Sequence, residues 1–315
     1  MRKLLSPKFL LPALIIVAII VALSLTVPRV ALPAIDIPPE PVFHLFGFSI
    51  TNTLLASWIA MIVLIVLSYF ATRKMSLVPA GLQNVLETIV EAYYGLVENM
   101  AGPKWGRRFF PIVMTIFLYL IVSNWLGILP FFGSIGYLLP PREGAGYVVQ
   151  PIGEGVAILT GQKATSGGYV LAPFLRSAAT DLNLPLALAL VSVALTQVFG
   201  VRSLGIKYFG KFININFKQG VFNGFVGIIV GLLETVSEFA KIISFTFRLF
   251  GNIFAGEVLL GVLAFLIPYL VSLPFYGLEL FIGAIQALVF SVLTLVFFTL
   301  AIRGHGEETS HEASH

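Results

Sequence analysis

The chain is 315 residues long, with 58% of them hydrophobic and only 11% charged, and its mean hydropathy is +0.97. A soluble domain carries about a quarter charged residues, so a water-soluble globular fold is excluded. It has no cysteine, which removes disulfides, thiolate metal sites and thiol nucleophiles, and three of its four histidines (His305, His311, His315) sit at the very end, so no metal or other cofactor is expected.

Long apolar runs separated by short charged loops, without the ten-residue alternation of a barrel, predict an all-α, polytopic membrane protein of about six hydrophobic segments. The first lies at 9–27 after a basic start (Arg2, Lys3, Lys8) and reads as a signal anchor or a signal peptide, making 1–30 a targeting unit. The stretch "VALPAIDIPPEPVFHLFGFS" that follows is too rich in proline for a regular helix. A second span covers 54–72. Next, "GLQNVLETIVEAYYGLVENM" (81–100) sets Val85, Ile89, Ala92 and Leu96 on one side and Glu87, Glu91 and Glu98 elsewhere, an amphipathic helix suited to the membrane surface. A third span at 110–129 leads into a Gly- and Ser-rich segment, 131–180, expected to be an exposed and partly mobile insertion. A fourth span follows at 184–201.

From Val221 to Ile267 a single straight helix would reach about 70 Å, more than twice a hydrocarbon core of about 30 Å. Residues 276–302 add a second long helix after the break at Pro268 to Pro274. Their length predicts a strongly tilted hairpin. The tail is 303–315. Thirteen of the nineteen Lys and Arg residues fall in segments on the N-terminal side of the membrane and four (Arg29, Arg142, Lys163, Arg176) on the other, which predicts both termini in the cytoplasm. The net charge of +4 is accounted for by this orientation signal, with no nucleic-acid partner implied. No internal repeat and no GxxxxGK[ST] loop occurs, so neither an inverted-repeat transporter nor a nucleotide site is expected.

At 100° per residue, Glu234, Lys241 and Arg248 fall within about 40° of one another, with Asn252 about 40° beyond Arg248. Glu257 projects about 180° from Arg248 and lies roughly 13 Å along the axis, so the two cannot pair within one helix. Glu279 and Gln286 share a face of the last helix. Charges at bilayer depth cost about 2.5–3.5 kcal/mol on insertion scales and therefore face water or a partner; a membrane arginine can also merely snorkel or brace the bundle, and snorkelling is the simpler reading for Lys241.

The run "RLFGNIFAGE" (Arg248 to Glu257), with Glu279 and "QALVFSVLTLVFF" from Gln286, resembles subunit a of F-type ATP synthases, the stator of a membrane rotor. "SNWLGILP" with Asn124, "ATDLNLPLALAL" with Asp181 and Asn183, and "GLLETVSEFAKIISFTFRLF" with Glu234 extend the likeness over about residues 40–302. The resemblance implies a membrane domain at 31–302 that works against a ring of small hydrophobic subunits, each with a mid-membrane carboxylate, beside peripheral-stalk subunits in a cell (plasma) membrane. It implies that Arg248 faces those carboxylates and separates two aqueous half-channels, since a cation beside an acid in low dielectric favours the ionised form. Glu257, Glu279, Gln286 and Asn124 match the outer half-channel and Glu234 and Asn252 the inner, Asp181 and Asn183 are also counted among the half-channel residues, and a Glu257–Glu279 pair close in space would hold one shared proton. The chain would then conduct protons without being a catalyst itself, binding no nucleotide. An autonomous cation/proton antiporter carrying its ions on Glu257 and Glu279, or a scaffold whose charges only bind helices, are the alternatives.

Overall fold

A computed structural model describes residues 38–73, 75–76, 81–141, 145–212, 221–266 and 273–303. The expected first span, Arg142, Lys218, Pro268 and the tail from 304 lie outside these residues. Five helices among the described residues are long and apolar enough to cross a membrane: α1 (Asn52–Thr72), α2 (Leu82–Gly127), α3 (Asn183–Leu204), α4 (Val221–Leu266) and α5 (Leu273–Ile302). The chain is a multi-pass helical membrane protein.

The surface helix expected at 81–100 and the span expected at 110–129 form a single element, α2, broken only at Gly102, whose φ of 73° and ψ of 166° are non-helical. Proline at 103 drives the preceding residue out of the helical region, and glycine accepts the resulting positive φ without a β-carbon clash. Of the face expected to be apolar, Val85, Ile89 and Ala92 are exposed and Leu96 is partly buried, while the neighbouring Tyr93 and Val97 pack inward. The outward side is thus left for lipid.

The described end of the proline-rich stretch and the residues after it form an antiparallel hairpin, β1 (Pro41–Leu45) with β2 (Phe48–Thr51), and Thr51 caps α1 by accepting from the Leu54 amide. The described residues of 131–180, expected as an exposed insertion, carry regular structure. They fold as nested antiparallel pairs, β3 (Gly136–Leu139) with β6 (Val170–Pro173) and β4 (Tyr147–Gly153) with β5 (Val156–Lys163). The β-branched and aromatic residues of "YVVQPIGEGVAILTGQK" flank a Glu154–Gly155 turn, a hairpin pattern outweighed in the composition by glycine and serine.

Helix α5 lies at the centre, packed most extensively against α2 and also against α3 and α4. Two apolar clusters hold the bundle. One joins Ala60, Leu120, Ala189, Phe245, Leu249, Ile253, Ala287 and Phe290 from all five helices. The other joins Tyr93, Val97, Phe109, Val113, Phe199, Leu295 and Phe298, where the rings of Phe109, Phe199 and Phe298 meet with centroids 4.9–5.2 Å apart. Lipid chains are as apolar as these side chains, so fit and dispersion, more than escape from water, hold them together. Helix α4 is the exception: it is the least buried of the five. Its inward side carries Glu238, Phe245, Thr246, Leu249 and Ile253, and its other side exposes Leu232, Val236, Phe239, Ile243 and Phe247.

Candidate functional site

Arg248 stands on the open side of α4. It is exposed, its Nη2 lies 3.5 Å from the Ser244 hydroxyl, and it makes no ion pair among the described residues. Beside it is a hollow of about 250 Å³ lined by Ser237, Lys241, Ser244, Arg248, Leu293 and Phe297. Among the described residues nothing neutralises this guanidinium. Lys241, about two turns toward the helix start, is instead bonded to Glu238 at 3.0 Å and lies 4.9 Å from the Phe297 ring centre, more than the plain snorkelling expected of it.

At one end of the bundle α2, α4 and α5 bring a second polar group together. Asn124 donates to the Gly283 carbonyl at 3.0 Å, and the Trp125 indole donates to that of Leu280 at 3.0 Å. Glu279 and Gln286, both buried, lie on the same side of α5 as Gly283, as their spacing required. The Glu279 carboxyl rests directly on Gly256 of α4, where any β-carbon would overlap it; this glycine is what lets α4 and α5 close over a charged side chain. Asn252 donates to Gln286 Oε1 at 2.6 Å, joining one residue matched to the inner half-channel with one matched to the outer. Three buried polar atoms here, Asn124 Oδ1, Gln286 Nε2 and Ser177 Oγ, have no hydrogen-bond partner among the described residues.

Glu257 has the partner that sequence reasoning missed. Arg176, counted there only as a basic residue of an outer loop, is buried, and its Nε donates to the two oxygens of Glu257 at 2.9 and 3.2 Å. Its guanidinium also lies 5.9 Å from the Phe254 ring centre. Glu257 is thus held by a cation, a partner beside the Glu279 that the sequence suggests for it only if the two are close in space. The signal was absent because the two residues are far apart in sequence and Arg176 sits outside any apolar segment.

Asp181 and Asn183 are engaged locally. The Asp181 carboxylate accepts from the Asn183 amide at 3.0 Å and from its side chain at 3.0 and 3.1 Å, the arrangement that satisfies free amides at a helix start. Thr53 of α1 donates to its other oxygen at 3.0 Å, and Asn52 donates to Pro173 of β6 at 3.2 Å. These bonds tie the starts of α1 and α3 to the β3–β6 sheet.

At the opposite end, Glu234 lies 3.6 Å from Lys211. About 35 Å of helix rise separates Glu234 from Glu257, with Arg248 between them. An uncompensated cation on an exposed helix side, with acid- and amide-rich groups toward both ends of the same helix, is the arrangement that the arginine motif anticipated. Residues 54–299 match the family described as ATP synthase A chain. The chain belongs to that family. It is similar to "ATP synthase subunit a" of Moorella thermoacetica, 30% identical over 267 residues that cover 85% of this chain and 98% of the relative. It is likewise similar to "ATP synthase subunit a" of Gloeobacter violaceus, 32% identical over 256 residues covering 81% and 85%. Within the ATP synthase A chain match lie all five membrane helices almost entire, together with Arg176, Arg248, Glu234, Asn252, Glu257, Glu279, Gln286, Asn124, Asp181 and Asn183.

Proposed function

We propose that this chain is the proton-translocating stator subunit in the membrane sector of an F-type ATP synthase. The single observation that carries the reading is the position of Arg248: exposed, unpaired among the described residues, and midway along the least buried of the five helices. A fixed cation in low dielectric is costly unless an anion comes to it, and the acids of a ring of small subunits, turning past α4, would do so. Each acid gives up its proton as it nears the guanidinium, because the ionised form is favoured there, and arginine does not itself release one.

Protons would enter along Glu257, Glu279, Asn124 and Gln286, whose unpartnered buried atoms suit hydrogen-bonded water, and leave past Glu234. Arg176 would hold Glu257 in place without removing it from exchange, since that side chain remains 38% exposed. The Asn252–Gln286 bond would close the gap between the two routes beside Arg248. Asp181 and Asn183 would act as braces for the helix ends that frame the outer route. The membrane potential contributes about 2.3 kcal/mol per charge per 100 mV, so several protons are needed for each ATP, made by partner subunits. Both termini would face the cytoplasm at a plasma membrane. A self-contained antiporter draws no support from the family.

The test is Arg248→Ala in the assembled complex in vesicles. ATP-driven proton pumping should fall below about 1% of wild type while the complex remains intact, a loss of about 2.7 kcal/mol or more of coupling. Pumping at the wild-type rate would refute the assignment.

A further inference from the structure

Lys211 enters the sequence reading only as one basic residue among those that set orientation. In the structure it has a built environment. After α3 the chain turns back in a short 3-10 helix, Gly205–Lys211, that lies along the end of α3. The Tyr208 ring rests on Gly200, where a β-carbon would overlap it, and its hydroxyl donates to Gln197 Oε1 at 2.7 Å. This strap delivers Lys211 to α4. Its ammonium sits over the rings of Tyr208 and Phe212, 4.3 and 4.5 Å from their centres, and donates to Glu238 at 2.8 Å.

Glu238 is fixed in turn: Gln197 donates to it at 3.0 Å and Lys241 at 3.0 Å. Glu234, one helical turn earlier on α4 and therefore on the same side, lies 3.6 Å from the Lys211 ammonium. The two contacts are unequal. The short one, to a carboxylate whose side chain is only 10% exposed, immobilises the lysine; the long one, to a carboxylate whose side chain is 29% exposed, leaves Glu234 open to water. The charged groups of the cluster, Lys211 and Lys241 against Glu234 and Glu238, balance. Lys241 is occupied by Glu238, so Lys211 is the cation that faces Glu234.

We propose that Lys211, held on the 205–211 strap by Glu238 and the two aromatic rings, is the positioning residue for Glu234 at the cytoplasmic mouth of the inner proton route. It orients the Glu234 carboxylate and keeps it from folding back onto Lys241, while the longer contact allows proton exchange with water. An ammonium with three donors suits this double duty: one is spent on the anchor and the rest remain for Glu234. Arginine keeps the charge and should serve.

The inference rests on the proton-conducting reading above, so Glu234→Gln is measured first, in the assembled complex in vesicles, by ATP-driven proton pumping per ATP hydrolysed. It should slow pumping about tenfold; normal pumping would overturn both readings. Lys211→Met should then slow pumping about three- to fivefold, the size of a partly exposed ion pair, Lys211→Arg should restore it, and Lys211→Met should have no further effect in a Glu234→Gln background. If Glu234→Gln is slow but Lys211→Met pumps normally, or slows pumping equally with and without Glu234, or is not rescued by arginine, this inference alone falls. Should Lys211→Met fail to assemble, Lys211→Met with Glu238→Gln removes both charges of the buried anchor, and the same two outcomes decide.

Discussion

Arg176 and Glu257 show how a carboxylate is kept at membrane depth. The arginine side chain is only 9% exposed and contacts both oxygens of a partner that still meets solvent on its other side. Removing either member leaves the other charge poorly compensated, so the two should act as one unit. Glu257→Gln and Arg176→Gln are each expected to slow proton flux about tenfold, and the double variant should be no slower than the worse single one, because residues of one pair are not additive. Flux measured in reconstituted vesicles checks this: a double variant slowed by the product of the two effects would show that Arg176 acts elsewhere. The pair was illegible in the sequence because an arginine in a loop looks like an orientation signal until the fold turns it inward. The motif residues Arg248, Glu257, Glu279 and Gln286, by contrast, could be placed by turn arithmetic alone, since charge in an apolar helix has few uses.

The helices themselves were readable from apolar length: spans expected at 54–72, 184–201 and 276–302 fall within α1, α3 and α5, and the long run after Val221 is one helix through Leu266. What the sequence concealed was joining and local pairing. Gly102 lets two expected helices run on as one kinked element, and the hairpins of 136–173 hide because short strands carry a weak periodic signal beside so many glycines. The element-level packing makes its own prediction. Phe298→Ala removes one of three mutually contacting rings and leaves a void of about 100 Å³ between α2, α3 and α5; at about 24 cal/mol per Å³ the cost is about 2.4 kcal/mol. The midpoint of thermal unfolding in detergent should drop accordingly, whereas Leu300→Ala, at an exposed position, should leave it within about 0.5 kcal/mol of wild type. Equal losses at the two positions would contradict the described packing.

At the scale of the whole molecule, α2, α3 and α4 pack on α5 while α1 packs on α2, and α4 keeps a side free. That side has Arg248 at its middle with Ser244 and Ala255 exposed along it, small residues that permit another helix to pass close by. The inward side, through Phe245, Thr246, Leu249 and Ile253, is committed to the bundle. In the proposed reading the bundle fixes the arginine and the two polar ends, and a ring of small subunits would supply the moving acids.

Because the chain contains no cysteine, a single one can report which side of α4 meets the rotor. Ser244→Cys is paired with a cysteine next to the mid-membrane acid of the ring subunit, and the assembled complex is oxidised. The account predicts a disulfide between the two subunits that stops ATP-driven proton pumping and is reversed by reductant, while Thr246→Cys on the buried side forms none. A complex that assembles fully yet cross-links through Thr246→Cys and not through Ser244→Cys would contradict it.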